Sequence, residues 1–464
     1  MHTIPHQIFK AYDIRGIVGE SLTPEIARLI GYAFGLWVRE QEQVCAIGRD
    51  GRLSSQALSQ AVIEGLCAAG IEVLNLGEVT TPMTYFATHI SLNSRQTRSA
   101  IMVTGSHNPP NYNGFKMVLH GTAIYGDKIQ ALYQSIRSGA PENLSPIAKC
   151  HIVNNLPTLY QQRIVGDVKL ARPMKIALDC GNGIAGAFAP ALFRALGCEV
   201  TELFCTVDGN FPNHHPDPAN PHNLEDLINC LKNTDCELGL AFDGDGDRLG
   251  VVSKSGQIIY PDRQLMLFAQ DVLSTHPNTP IIYDVKCSAK LAAWIRHHGG
   301  QPLIWKTGHS LVKAKLRETN APLAGEMSGH IFFNDRWYGF DDGLYAGARL
   351  LEILSHFSDP TEILHSLPDS LCTPELHLAC TEQEAHRLLT NIQNHVSFDH
   401  ADQILTIDGI RVEYPDGFGL IRASNTTPVL VMRFEADNLP ALHRIQMEFK
   451  NILLKEKPDA ILPF

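Results

Sequence analysis

The chain has 464 residues, 44% hydrophobic and 19% charged, enough to bury several cores and to form about three or four domains. Its net charge of −11, without any basic run, excludes nucleic acid as the main partner. No apolar stretch is long enough to span a membrane, and Met1-His2-Thr3-Ile4-Pro5-His6 has neither the basic nor the apolar part of a signal peptide. The 11 cysteines are scattered without a C-x-x-C pair, and the 21 histidines show no zinc-type spacing. A cytoplasmic protein with reduced thiols is expected.

Tyr12-Asp13-Ile14-Arg15-Gly16 is the first polar loop beside an apolar segment; taken singly, Arg15 reads as an ordinary surface residue. Val44–Ile47 then reads as a strand leading into Gly48-Arg49-Asp50-Gly51-Arg52. A helix follows with Leu58, Val62, Ile63 and Leu66 on one face; Gly70 ends it, and Ile71–Leu76 is a second strand. Ala100–Val103 is a short buried strand that stops at Thr104-Gly105-Ser106-His107-Asn108-Pro109-Pro110. The prolines bias this loop away from helix, and Phe115-Lys116-Met117-Val118 resumes an extended pattern after it. Alone, the loop reads equally as a surface turn or as the seat of a covalent or phosphate-bearing serine.

A second strand–loop–helix–strand copy begins at Met174–Leu178, with the loop Asp179-Cys180-Gly181-Asn182-Gly183, a helix ended by Gly197, and the strand Glu199–Phe204. Asp243-Gly244-Asp245-Gly246-Asp247-Arg248 follows, between the apolar runs Leu238–Phe242 and Leu249–Val252. Its three alternate carboxylates repel one another unless a hard cation such as Mg²⁺ offsets them. An EF-hand is excluded, because Arg248 and Lys254 stand where its glycine and bidentate glutamate belong. A haloacid-dehalogenase start lacks the expected Thr or Val, and an acidic solvated turn conflicts with the apolar flanks.

The third copy starts at Pro280–Tyr283, passes Asp284-Val285-Lys286-Cys287-Ser288, and resumes at Leu303–Trp305 after Gly299-Gly300. Lys306-Thr307-Gly308-His309 is a further polar loop. In Gly325-Glu326-Met327-Ser328-Gly329-His330, an extended loop would point Glu326 and Ser328 to one side, a pairing suited to vicinal sugar hydroxyls. Past about Pro368 the pattern changes to strands around Ile404–Ile407, Ile410–Tyr414, Gly419–Arg422 and Val429–Phe434, then a helix from Leu439 to Leu454. Arg422-Ala423-Ser424-Asn425-Thr426-Thr427-Pro428 joins two of those strands and has the makings of a phosphate cradle.

Copies starting at 44, 174 and 280 are a domain apart rather than a solenoid period apart. The expected fold class is α/β: three tandem similar α/β domains plus a C-terminal α+β domain around a central cleft. The cuts are 1–150 for the serine loop, 151–254 for the aspartate loop, 255–367 for the Glu326 loop and 368–464 for the Arg422 loop.

Together and in this order, these loops resemble the α-D-phosphohexomutases, most closely their bacterial phosphomannomutase/phosphoglucomutase branch. The resemblance covers essentially the whole chain and supplies the central cleft. It implies that Ser106 carries a phosphoryl group and that Asp243, Asp245 and Asp247 hold Mg²⁺ together with that phosphoserine. It implies that Glu326, Ser328 and His330 belong to the sugar-reading loop, and that Arg422, Ser424, Asn425 and Thr426 bind the non-reacting phosphate. Tyr12, Arg15, Lys116, Arg248, Lys286 and His309 match cleft positions; His309 and Lys116 are the candidates for acid/base work, with Arg248 flanking the transferring group. Gly105 and Met327 follow the mannose/glucose branch rather than the phosphoglucosamine branch.

The implied activity is reversible phosphoryl transfer between hexose 1-phosphate and hexose 6-phosphate (mannose and/or glucose). It runs through glucose or mannose 1,6-bisphosphate as intermediate and activator, in a monomer that needs only hexose phosphates as partners. A sugar phosphatase and a non-catalytic sugar-phosphate sensor are the competing readings.

Overall fold

The computed structural model describes residues 4–139, 145–395, 397–424 and 427–464, and these form four β-sheets. In the first sheet Val44–Arg49 runs parallel to Glu72–Glu78 and to Ala100–Val103, and Ala100–Val103 is antiparallel to Tyr112–Leu119. In the second, Lys175–Asp179 is parallel to Glu199–Leu203 and Leu238–Phe242, and the latter is antiparallel to Leu249–Ser253. In the third, Pro280–Asp284 is parallel to Gln301–Trp305 and Leu323–Gly325, and the latter pairs antiparallel with Ile331–Phe333. Each copy therefore has the strand order fourth, third, first, second.

The strand–helix–strand repeat legible in the sequence is the first half of this unit. Its second half is the antiparallel pair whose connection carries the serine, aspartate or Glu326 loop at one equivalent place in each copy. The strands Cys150–Ile152 and Ile258–Ile259 belong to the first and second sheets respectively.

Helices cover the sheets because their apolar stripes match the 3.6-residue period. Ser55–Ala68 buries Leu58, Val62 and Leu66 and lies against Pro24–Val38, a helix with no counterpart among the sequence expectations. The two backbones come so close that a Cβ at Gly31 would stand 2.4 Å from Val62 O, and one at Gly65 2.1 Å from Arg28 O. The strand expected over Ile71–Leu76 is Glu72–Glu78. It continues through Gly77, whose positive φ of 71° accommodates the register shift opposite Ile47 and Gly48.

The C-terminal sheet is antiparallel throughout, Gln403–Leu405, Ile410–Tyr414, Gly417–Ala423 and Val429–Ala436 lying side by side. Leu371–Cys372 and Leu376–Ala379 also pair with Val429–Ala436. These two strands and the helix Glu382–His395 add to the expected elements, and the last helix runs Leu439–Glu456. One continuous core runs through the first three units, holding Phe86, Leu178, Leu240, Ile281 and Leu323 together, and the first unit has a second around Phe34, Val62 and Phe115. The C-terminal unit has its own, around Ile392, Met432 and Phe449, and meets the rest through the small patch Val285, Phe418 and Leu420. Polar ties reinforce that seam: Arg411 donates to Val285 O and Cys287 O, each at 2.6 Å, and Ser288 Oγ to Glu435 Oε1 at 2.7 Å.

Candidate active site

The serine and aspartate loops meet face to face. Ser106 holds a left-handed backbone (φ 49°), its N–H donates to Thr104 Oγ1 at 2.8 Å, and its hydroxyl donates to Asp243 Oδ2 at 3.0 Å. The approach is close enough that a Cβ at Gly244 would stand 2.3 Å from Ser106 O, so only glycine fits there.

Asp243 Oδ1 accepts the N–H groups of Gly246, Asp247 and Arg248 at 3.1 to 3.2 Å, which winds the acidic turn around its own first carboxylate. Asp245 Oδ2 accepts from Lys116 at 2.8 Å and from Thr81 Oγ1 at 2.5 Å, and Asp247 Oδ2 accepts from Lys116 at 2.5 Å. Lys116 thus ties the first unit to the second. Burial works against its ammonium, but Asp245 and Asp247 outweigh that and hold it protonated well above the ordinary lysine range.

Asp243, Asp245 and Asp247 are all fully buried, with carboxylate oxygens within 4.8 Å of one another. Among the described residues Asp245 Oδ1 has no hydrogen-bond partner. Burial and the charges of Asp247 and Asp245 push the Asp243 carboxyl well above its usual range. Three convergent buried carboxylates, one of them with an unpartnered oxygen, and an all-oxygen donor set fit a hard divalent cation.

The Glu326 loop closes the site from the third unit. It is a tight turn rather than the extended segment expected: Gly329 N–H donates to Glu326 O at 3.0 Å, and Gly329 has φ 98°. Glu326 and Ser328 still converge, because both face His330 Nδ1, at 3.2 Å and 2.9 Å. Gly308 N–H donates to Glu326 Oε1 at 2.5 Å. His330 Nε2 faces Asp247 Oδ1 at 3.3 Å and Asp341 Oδ2 at 3.8 Å. Burial opposes the imidazolium, but Asp247 and the other carboxylates raise it to about 9.

His309 stacks 5.5 Å from His330. Burial, helped by Lys313 and Lys116, pushes the His309 imidazole well below the usual range and leaves it neutral at pH 7. Arg248 Nε stands 3.3 Å from His330 Nε2 and 4.0 Å from Asp243 Oδ2.

The remaining candidates ring this centre. Arg15 donates to Asn108 Oδ1 in the serine loop and to Asp13 Oδ2 at 2.5 Å. Tyr12 Oη donates to Thr307 O at 2.7 Å, so the first unit reaches the third. Arg422 Nε donates to Asp408 Oδ2 at 3.1 Å. Ser424 Oγ and Thr427 Oγ1 are 2.9 Å apart, and Asn425 and Thr426 lie outside the described residues.

Lys286 donates to Glu375 Oε1 at 2.5 Å across the seam between the third and fourth units. Lys286 holds the Glu375 carboxyl well below its ordinary 4.5. A carboxyl lowered on folding adds stability above its unfolded value and gives it up as pH falls toward its folded one. Acidification from about pH 5 to about pH 3 is therefore expected to destabilise the parent more than a Glu375→Gln variant, read as thermal midpoints at each pH. Equal losses in the two proteins would remove this pair from the acid response.

Sequence reading passed over three supporting residues. Asp50, Asp179 and Asp284 each stand at or just past the end of the first strand of a copy, and each is 0 to 1% exposed. Asp50 accepts from Thr104 and Gly105 beside Ser106, and Asp284 Oδ1 from Met327 N–H at 3.2 Å, so both anchor active loops. Asp179 accepts from Gly181 N–H and His214. Their repetition at one position of the unit is the signal that could have found them. His107, within the serine motif, was given no role, yet its Nδ1 lies 3.1 Å from Ser106 Oγ.

Comparison with known proteins agrees with the four-unit fold. The phosphoglucomutase/phosphomannomutase α/β/α domain models I, II and III match residues 6–142, 158–256 and 260–371, and the C-terminal domain model matches 375–452. A phosphoglucomutase of Neisseria meningitidis is 54% identical over the full length of both chains. A phosphomannomutase/phosphoglucomutase of Pseudomonas aeruginosa is 50% identical, covering all of this chain and 98% of its own. The crystal structure of a phosphoglucomutase/phosphomannomutase family protein from Burkholderia thailandensis superposes with a TM-score of 0.95 at 58% identity, covering both chains completely. Among the described residues no helix is long and apolar enough to cross a membrane. The chain belongs to the phosphoglucomutase/phosphomannomutase family of the α-D-phosphohexomutase superfamily and is an enzyme of that family.

Proposed function

We propose that the protein interconverts hexose 1-phosphates and hexose 6-phosphates of the mannose or glucose type, through a phosphoserine at Ser106 and a hexose 1,6-bisphosphate. One observation carries the reading: Ser106 Oγ stands 3.0 Å from a buried aspartate triad, with Lys116 bridging two of its members. A protein that merely bound sugar phosphates would have no use for a hydroxyl aimed at that cluster.

Ser106, Asp243, Asp245 and Asp247 would hold the cation. When bound, Mg²⁺ supplies charge stabilisation to the transferring phosphoryl group. Arg248 and Lys116 orient that group and spread its charge, since such transfer depends on position and electrostatics. In one half-reaction a sugar hydroxyl forms the new P–O bond as the Ser106 Oγ–P bond breaks; the hydroxyl's proton leaves to a neighbouring base, and Ser106 Oγ takes up a proton to become the free serine hydroxyl. His309 is the candidate to take the sugar hydroxyl's proton, and Lys116, held as ammonium by Asp245 and Asp247, serves as an electrostatic partner. Glu326 and Ser328 accept and donate to sugar hydroxyls, with His330 holding the two side chains together. Arg422, Lys286 and Ser424, with Asn425 and Thr426, bind the distal phosphate; Tyr12 and Arg15 line the approach. Return of the other phosphate to Ser106 requires the bisphosphate to turn around in the cleft.

A coupled assay for hexose 6-phosphate formation from mannose 1-phosphate and from glucose 1-phosphate tests the activity. The outcome that sinks it is no product from either sugar with folded, bisphosphate-primed enzyme. Chelation is expected to abolish turnover and Mg²⁺ to restore it. Asp245→Asn should raise the Mg²⁺ concentration giving half-maximal rate by about tenfold or more. An unchanged Mg²⁺ requirement in that variant would remove Asp245 from the cation site.

A further inference from the structure

Arg52 sits beneath the serine loop with its side chain 1% exposed, and no substrate or cation role falls to it. Its Nη2 donates to Ser106 O and Asn108 O, both at 2.7 Å, and its Nη1 to Pro109 O at 2.7 Å and Tyr112 O at 3.0 Å. Asp50 Oδ2 stands 3.3 Å from Nε, and Asp50 Oδ1 accepts the Arg52 backbone N–H at 3.1 Å.

The same carboxylate accepts Thr104 Oγ1 at 2.7 Å and Gly105 N–H at 3.3 Å. The chain on both sides of Ser106 thus hangs from one buried ion pair. Phe211, from the second unit, covers the guanidinium at 5.0 Å. A Cβ at Gly105 would fall 2.5 Å from Arg52 Cζ, so loop and guanidinium are fitted to each other.

This arrangement answers a local need. The loop turns its carbonyls inward, Pro109 and Pro110 have no N–H to offer, and Ser106 is in the left-handed region. A guanidinium carries several N–H donors in one rigid plane and can serve four carbonyls at once, which the three tetrahedral donors of an ammonium cannot.

We propose that Arg52 is a positioning residue for phosphoryl transfer: through the carbonyls of Ser106, Asn108, Pro109 and Tyr112 it sets where the Ser106 hydroxyl stands relative to Asp243. It thereby sets the rate at which Ser106 takes and returns a phosphoryl group. Arg52 forms no bond to the substrate. When Ser106 is phosphorylated, its Oγ–P bond forms as the sugar O–P bond breaks, and the serine proton ends on the sugar oxygen. The inference rests on the covalent role of Ser106 proposed above.

The test is kinetic. Arg52→Lys is expected to lower kcat about 10- to 100-fold, the scale of a misplacement of about 1 Å, and to leave KM for the hexose 1-phosphate within about twofold. The rate of Ser106 phosphorylation by glucose 1,6-bisphosphate in a rapid-quench experiment should fall by the same factor. Asp50→Asn, which keeps shape and removes the charge facing Nε, should move kcat the same way by a smaller factor.

A lowered thermal midpoint with kcat per folded enzyme unchanged in both variants would make Arg52 merely structural and overturn the proposal. So would a raised KM at unchanged kcat. If Arg52→Lys is not recovered folded, Asp50→Asn decides by the same criteria. A parent enzyme that turns over without any phosphate on Ser106 fails the covalent reading itself, before any variant is compared, and takes this inference with it.

Discussion

A Ser106→Ala variant is expected to fold like the parent and to lose mutase turnover by on the order of 10⁴-fold or more, the scale on which removing a covalent nucleophile acts. The substitution deletes one hydroxyl that donates to Asp243 Oδ2 and lies 3.1 Å from His107 Nδ1. The loop itself hangs from backbone bonds to Arg52 and Asp50, so it should keep its shape. The Asp243, Asp245 and Asp247 carboxylates remain, and Mg²⁺ should still raise the thermal midpoint of the variant. Loss of turnover with retention of cation-dependent stabilisation is the expected pair of results. Near-normal turnover in Ser106→Ala would contradict the phosphoserine scheme.

Lys116→Met is expected to have the second largest effect, on stability as well as on rate. The ammonium is 4% exposed and is shared by Asp245 and Asp247, both fully buried. Removing it leaves carboxylate oxygens without their cation in a site that water does not reach. Breaking such a pair on one side costs about 3–5 kcal/mol. In chelator, the variant should therefore unfold well below the parent. Saturating Mg²⁺ should recover part of the loss, because a cation that binds the native state alone stabilises it. Activity should stay low even then, since the charge that spreads over the transferring group has gone. Thermal midpoints in chelator and in Mg²⁺ read this directly; a variant within about 1 kcal/mol of the parent in chelator would mean that the triad does not depend on Lys116.

What could be read from the chain was what is local. The periodicities of Val44–Ile47, the helix bearing Leu58 and Leu66, and their later copies reveal strand, helix and strand without any tertiary information. The aspartate triad was legible for the same reason: alternate carboxylates between apolar runs are constrained by spacing alone.

The antiparallel fourth strands were harder to see as part of the repeat. They run eight residues at Tyr112–Leu119, five at Leu249–Ser253 and three at Ile331–Phe333, so no common length marks them as one element. The Glu326 loop misled because an extended reading ignores the left-handed Gly329 that closes it into a turn. Asp50 and Arg52 were invisible as site residues because their partners are atoms of Thr104–Tyr112, more than 50 positions away in sequence. Most of those partners are backbone carbonyls, which no residue pattern displays.

The central claim is that Ser106 both gives and receives a phosphate. The most direct measurement is a chase: enzyme primed with hexose 1,6-bisphosphate carrying radiolabelled phosphate is freed of ligand, mapped by peptide mass spectrometry, and mixed with unlabelled hexose 1-phosphate in a single turnover. The predicted result is label on Ser106 that moves quantitatively into hexose bisphosphate or hexose 6-phosphate, at a rate no slower than kcat. Label on another residue, or its release as inorganic phosphate while mutase turnover continues, would contradict it.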